Sequence, residues 1–128
     1  MKNKIIDKTE TTPKVVIDYL NSKVSFEGIC VPENPTAFFE PIYNDVNQII
    51  DSNAKLTYDF YLEYFNTSSS KKILDLFMLA TNHNNDDANY KVVWKTEEED
   101  EELIEAGEIM QELTHLPFEF IEIKEEND

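Results

Sequence analysis

Residues 56–65, LTYDFYLEYF, alternate between two sets of side chains with a period of two, which is the repeat of a β-strand. The first set is almost wholly apolar and consists of Leu56, Tyr58, Phe60, Leu62 and Tyr64. The second set contains the polar residues and consists of Thr57, Asp59, Tyr61, Glu63 and Phe65. A parallel strand buried on both faces would read as a continuous apolar run. The alternation therefore predicts a sheet with one covered face and helices mainly on that face.

The segments before this strand predict a hairpin and a helix. KVVIDYL, residues 14–20, and KVSFEGI, residues 23–29, are β-prone and are separated by the turn formers Asn21-Ser22. Apolar residues then recur at helical spacing at Phe38, Phe39, Ile42, Val46, Ile49 and Ile50. Pro35 lies near the expected start of this helix, whereas Pro41 predicts either a kink or a later true beginning.

The segments after the strand predict two helices and two strands. The helical stripes are Ile73, Leu74, Phe77 and Ala80, and then Leu103, Ala106, Met110 and Leu113. YKVVWK, residues 90–95, and FEFIEIK, residues 118–124, are the strands, and residues 81–89 are turn formers. The order is ββαβαβαβ. Short crossovers of this kind predict one α/β domain over residues 1–128, with a mixed sheet of about five strands and an antiparallel edge hairpin.

Charge and composition exclude several classes of function. The chain has 27 acidic and 11 basic Lys and Arg residues among 128, which gives a formal net charge of −16. Such a surface repels nucleic acid and anionic membranes. Residues 1–14 lack the apolar core of a signal peptide, and no apolar run approaches the length of a membrane span, so an unexported protein is expected. With Cys30 as the single cysteine, a reducing cytoplasmic location is expected.

Motifs for catalysis or for cofactor binding are scarce. The sequence has two histidines in no metal-ligand pattern and no glycine-rich phosphate loop, so neither an enzyme nor a cofactor is expected. Cys30 has no basic neighbour in sequence and is interpreted as a packed residue. The acidic run of residues 97–102, EEEDEE, has three interpretations: a helix N-terminus, a docking surface for a basic partner, or a metal site. A small acidic metal- or ligand-binding module is thus the alternative function.

Four consecutive hydroxyl residues, Thr67 to Ser70, separate the alternating strand from the next helix. One interpretation is structural, in which Asn66 or Thr67 caps the helix. The other is that one hydroxyl is phosphorylated, because the N–H groups and dipole of a helix N-terminus favour an anion and Lys71 follows within a turn. A partner that packs over the helix start would have to desolvate that phosphate. Both interpretations stay open on the residues alone.

The chain resembles the SiaC-type regulatory phosphoproteins of bacteria. The resemblance lies in TTPKVVID, EGICVPENPTAFFEPI, YFNTSSSKKILDLF and VVWKTEEEDEELIEAGE, and it covers nearly the whole chain. It implies a STAS-like fold and a non-catalytic partner switch that acts in cyclic di-GMP signalling and biofilm control. In this family a SiaB-type serine/threonine kinase adds a phosphate, and a SiaA-type PP2C phosphatase removes it. The unmodified form binds and stimulates an effector, usually a diguanylate cyclase.

The resemblance also implies roles for individual residues. Thr67 would be the phosphorylated threonine, and Asn66 would shape the turn. Partner contacts would come from Asn66, Ser68, Ser69, Ser70 and Lys71. The family usually has a serine where Cys30 stands, so no site is assigned to that residue.

Overall fold

The computed structural model describes residues 3–52, 55–83 and 89–124. The strands in these ranges are β1 (Lys4–Ile6), β2 (Lys14–Asp18), β3 (Lys23–Cys30), β4 (Lys55–Phe65), β5 (Asn89–Glu97) and β6 (Phe118–Ile123). The helices are α1 (Pro35–Ser52), α2 (Thr67–Thr81) and α3 (Glu101–Thr114). No helix in the described residues is long and apolar enough to cross a membrane. Most of the predicted turn at 81–89 lies outside the described residues.

The strands form one sheet in the order β1-β2-β3-β4-β5-β6. The pairs β1–β2 and β2–β3 are antiparallel, whereas β3, β4, β5 and β6 are parallel neighbours. Each helix therefore lies in a crossover between two adjacent parallel strands. This confirms the mixed α/β sheet with an antiparallel edge hairpin.

The sheet has six strands rather than about five, because β1 was not predicted. Its three residues are too few to show an alternating pattern. Strand β1 pairs with β2, and Lys4 Nζ lies 2.8 Å from Oδ1 of the buried Asp45 in α1. The Tyr19 hydroxyl donates to the same carboxylate oxygen. Contacts between residues so far apart in sequence cannot be predicted from the local sequence pattern.

One face of the sheet is covered and the other is partly open, as the alternation in β4 predicts. Leu56, Tyr58, Phe60 and Leu62 are buried in the core, and Asp59 faces the open side, where Lys23 and Lys95 pair with its carboxylate at 3.2 and 3.1 Å. The prediction is wrong for the end of the strand. Tyr64 is 54% exposed, whereas the ring of Phe65 packs against Trp94.

A register shift explains this exchange of faces. Gly28 of β3 is opposite Leu62, but the next residue, Ile29, is opposite Tyr64, so Glu63 is an extra residue in β4. An extra residue in one strand reverses the alternation beyond it. Phe65 therefore turns toward the core just before the chain enters α2.

Aromatic rings dominate the core and hold the helices in place. Phe60 of β4 stacks on Phe26 of β3, at 4.4 Å between ring centroids, and on Trp94 of β5, at 6.1 Å. The Tyr58 hydroxyl donates to the Leu76 carbonyl of α2 at 2.7 Å. The indole N–H of Trp94 donates to the Leu103 carbonyl of α3 at 2.8 Å. Each of these two helices is thus fixed to the sheet by a hydrogen bond as well as by packing.

Helix α1 begins at Pro35 and continues through Pro41. Asn34 precedes it, and its side chain accepts a hydrogen bond from the Ala37 N–H at 3.1 Å. The alternative that Pro41 marks the true beginning is therefore wrong. Buried residues on both sides of Pro41, Phe39 and Ile42 among them, anchor the helix to the core and offset the hydrogen bond that proline cannot make.

Candidate functional site

The junction between β4 and α2 is organised by Asn66. Its backbone is extended, with φ −91° and ψ 177°, and its side-chain oxygen accepts a hydrogen bond from the Ser69 N–H at 3.0 Å. Its carbonyl accepts the Ser70 N–H at 2.9 Å. Asn66 is thus the N-cap, which confirms the first of the two predicted capping residues. Thr67 is the first residue of the helix, and its hydroxyl has no capping role.

The four hydroxyl residues have very different exposures. Thr67 and Ser68 are exposed, Ser70 is half-buried, and Ser69 is 0% exposed. Successive residues in a helix are rotated by about 100°, so four in a row point around most of its circumference. Only Thr67 and Ser68 present a freely accessible hydroxyl to an enzyme that modifies it. Ser69 supports the junction from inside the protein.

Beneath the junction, Ser69 faces Cys30 at the end of β3. Burial raises the pKa of the Cys30 thiol to about 11, and the Ser69 hydroxyl opposes part of that rise. The Ser69 oxygen nevertheless has no hydrogen bond of ordinary geometry, so its interaction with the thiol is a weak polar contact. The thiol stays protonated near neutral pH. Cys30 is therefore a packed residue, as its sequence surroundings predicted.

An apolar groove of about 360 Å³ runs between α2 and α3 and includes the phosphorylation candidate at one end. Ile109 is 49% exposed and Leu113 is 55% exposed, which is unusual for large aliphatic side chains so close together. The groove is lined by Thr67, Ser70, Lys71 and Leu74 from α2 and by Ala106, Ile109, Met110 and Leu113 from α3. The structure thus brings three of the six predicted site residues to one surface.

The α3 wall of this groove was not anticipated. The sequence predicted that Ala106 and Leu113 belong to the buried stripe, but the buried residues are Leu103, Gly107, Met110 and Thr114. Ile109 is the sequence feature that could have indicated this exposed surface. It lies outside the predicted stripe, so the apolar side of α3 is wider than the face that packs on the core. A helix with an apolar surface wider than its buried face has a second surface to cover.

The acidic run of residues 97–102 is divided between three structural positions. Glu97 ends β5, Glu99 adopts φ 65° in the turn, and Asp100 is the N-cap of α3. The Asp100 carboxylate accepts the Leu103 N–H at 3.3 Å. This confirms that the run marks a helix N-terminus. In the described ranges 3–52, 55–83 and 89–124, no three His, Cys, Asp or Glu side chains converge in a group that could hold a metal ion.

Comparison with known proteins gives consistent matches. The SiaC family of regulatory phosphoproteins matches residues 6–123. An uncharacterised protein of Pseudomonas aeruginosa (strain UCBPP-PA14) is 27% identical over 114 residues, which cover 88% of this chain and 90% of the relative.

Two solved structures from Pseudomonas aeruginosa share the fold. Apo-SiaC superposes with a TM-score of 0.83 at 24% identity, and the match covers 94% of this chain and 99% of that one. The crystal structure of the diguanylate cyclase SiaD in complex with its activator SiaC gives a TM-score of 0.87 at 25% identity, covering 93% and 98% of the two chains. Since the family match extends over almost the whole length, the chain belongs to the SiaC family of regulatory phosphoproteins.

Proposed function

We propose that this protein is a non-catalytic switch in which reversible phosphorylation of Thr67 controls binding to an effector, and that the whole chain acts as one SiaC-like domain. The unmodified form binds and stimulates the effector, a diguanylate cyclase. A serine/threonine kinase of the SiaB type adds the phosphate, and a PP2C phosphatase of the SiaA type removes it. The observation that carries the proposal is the position of Thr67, which is exposed, begins α2 and lines the end of an exposed apolar groove.

The fold itself tolerates a phosphate at Thr67. The first N–H groups of a helix lack intrahelical acceptors, and the helix dipole adds positive potential there. Lys71 lies one turn along the same side of α2 and lines the same groove. A phosphate on Thr67 therefore has nearby groups that stabilise it, and the unbound protein stays folded in both states.

The same phosphate would oppose a partner seated in the groove. It adds a charge of about −1.5 to −2 at the end of an apolar surface. A partner that packs there must desolvate this charge, and a difference of about 2.8 kcal/mol between the two forms is a hundredfold change in affinity. A cost of that size is sufficient for an on–off switch.

The solved complex of SiaD with SiaC supports the identity of the effector. The similar structure contains a diguanylate cyclase bound to its activator SiaC, so an activating contact with such an enzyme is the simplest role for the groove in this chain. The other five candidate residues have distinct places in the proposal. Asn66 fixes the helix start and Ser69 supports it from inside, whereas Ser68, Ser70 and Lys71 contribute surface to the contact.

The variant Thr67→Ala tests the proposal. We expect it to bind the effector and stimulate cyclic di-GMP synthesis whether or not the kinase is present. Its free energy of unfolding should stay within about 0.5 kcal/mol of the wild type, because Asn66 retains the cap. The matched control is Ser68→Ala, which removes the adjacent exposed hydroxyl.

Radiolabelled phosphate transfer by the cognate kinase distinguishes the two variants. Wild type and Ser68→Ala should accept label, and Thr67→Ala should not. Label on purified Thr67→Ala would refute the site assignment. Equal stimulation of the cyclase by phosphorylated and unmodified wild type would refute the switch.

A further inference from the structure

The two edges of the groove between α2 and α3 differ in charge. On the α3 side, Glu105 and Glu112 are exposed and lie one turn before and after Ile109. Helix α3 contains five glutamates and no basic residue. On the α2 side, Lys71 is exposed and lines the groove itself, and the exposed Asp75 follows one turn later.

These edges restrict what can occupy the groove. A segment that covers Ile109 and Leu113 must present apolar side chains along its centre. Its edge over α3 faces carboxylates, which favour Lys or Arg and disfavour acidic groups. Its edge over α2 faces Lys71, which repels a cation there.

We propose that the groove holds a segment of the effector with an apolar stripe, Lys or Arg residues along the edge that faces α3, and neutral or acidic residues along the edge that faces Thr67 and Lys71. This inference rests on the proposed function, because the occupant is the effector that the unmodified form binds. It adds the chemistry and the orientation of the bound segment.

The charge asymmetry also explains why phosphorylation opposes binding by such a segment. Lys71 gives the end of the α2 edge beside Thr67 a positive charge in the unmodified protein. A phosphate on Thr67 brings about −1.5 to −2, so the sign of that edge is reversed. A neutral or acidic edge of the partner then meets a negative surface. The partner's Lys or Arg residues over α3 lie across the groove from Thr67 and do not offset this repulsion.

Site-directed photo-crosslinking identifies the occupant. Benzoylphenylalanine is placed at position 113, in the groove, in the unmodified protein expressed in its native cells, and in a second variant at position 119, on the open face of the sheet. We expect an adduct from position 113 whose cross-linked segment, sequenced by mass spectrometry, has an apolar stripe with Lys or Arg on one side. No adduct from position 113, or a segment without basic residues, would overturn the inference.

Charge reversal then measures the α3 edge against that partner. Glu105→Lys/Glu112→Lys should weaken binding about tenfold or more at physiological salt, and the milder Glu105→Gln/Glu112→Gln should weaken it about threefold. The matched control is Glu27→Lys/Glu119→Lys, which changes the net charge equally on exposed positions of β3 and β6. The control should stay within about threefold of wild type, because screening limits the reach of surface charges to about 8 Å. Equal losses in the two lysine variants would reject a specific role for the α3 edge.

The inference and the proposed function fail in different ways. If the cross-linked protein is not a diguanylate cyclase, or if phosphorylated Thr67 leaves its affinity unchanged, the proposed function fails. If the partner is a cyclase controlled by Thr67 but the two charge reversals behave alike, only the inference about the groove fails.

Discussion

Gly107 lies where α3 packs closely against the sheet, so Gly107→Ala tests this contact directly. A Cβ at this position would lie 2.6 Å from both Cδ1 and Nε1 of Trp94 and 2.8 Å from Cε1 of Phe120. Ordinary carbon contacts are about 3.5–4.0 Å. Phe120 is 39% exposed and has room to move, but Trp94 is 2% exposed and stacked on Phe60. Helix α3 must therefore withdraw from the sheet by about 1 Å to restore the ordinary separation.

The withdrawal has a calculable cost. Overpacking of a core typically costs about 1–3 kcal/mol. The indole N–H of Trp94, which donates to the Leu103 carbonyl at 2.8 Å, would lengthen or lose that bond, and a buried donor without an acceptor costs about 1–3 kcal/mol. Replacing a helical glycine by alanine returns about 1 kcal/mol. We expect Gly107→Ala to lower the free energy of unfolding by about 3 kcal/mol.

Urea unfolding monitored by far-UV circular dichroism measures this difference. The gain from helix propensity is obtained separately from Glu108→Ala against Glu108→Gly, at the adjacent exposed position, where the alanine variant should be more stable by about 1 kcal/mol. A stabilisation of Gly107→Ala by a similar amount would refute the close approach. Trp94→Phe in the same chain removes the indole N–H and should reduce the cost of the alanine, because the two sites are in contact.

Two further predictions concern the junction between β4 and α2. Asn66→Ala should lower the free energy of unfolding by about 1 kcal/mol in urea titrations, because the Ser69 N–H loses its acceptor. Asn66→Asp keeps a capping oxygen and should remain within about 0.5 kcal/mol of wild type. An alanine variant as stable as the wild type would contradict the cap. Burial raises the pKa of the Cys30 thiol to about 11, so the folded state holds the thiol proton more tightly than the unfolded chain does. The contribution of the protonated thiol to stability is complete below about pH 9 and falls as the pH rises toward 11. Between pH 7 and pH 10.5 the wild type should therefore lose about 2 kcal/mol more than Cys30→Ser, which has no thiol to titrate, and equal losses in the two proteins would contradict the buried thiol.

Local patterns were sufficient for most of the elements. The alternation in residues 56–65 predicted β4 and its single covered face, and the helical periods predicted α1, α2 and α3. The acidic residues before Leu103 and the polar residues before Ile73 marked two helix starts correctly. These features depend on near neighbours in sequence, whose spacing follows directly from strand and helix geometry. The family resemblance added Thr67, which no local pattern separates from Ser68.

Long-range contacts account for what the local patterns missed. Strand β1 depends on its pairing with β2 and on the ion pair between Lys4 and Asp45, which are 41 residues apart in sequence. The exchange of faces at Tyr64 depends on the extra residue that β4 has relative to β3. The sequence pattern of either segment alone does not indicate such a contact between distant segments.

The sequence by itself determined a mixed α/β sheet, a helix that starts among four hydroxyls, and an acidic third helix. Only the tertiary structure decided which residues of that third helix are left uncovered. Gly107 has no side chain, so α3 can bring this residue against Trp94, and in this orientation Gly107 and Thr114 are more deeply buried than Ala106 and Leu113. Ile109 and Leu113 are left exposed, and together with the partly buried Ala106 they line the groove beside Thr67. The periodicity of a helix fixes which residues share a face, but the packing partner decides which face turns inward.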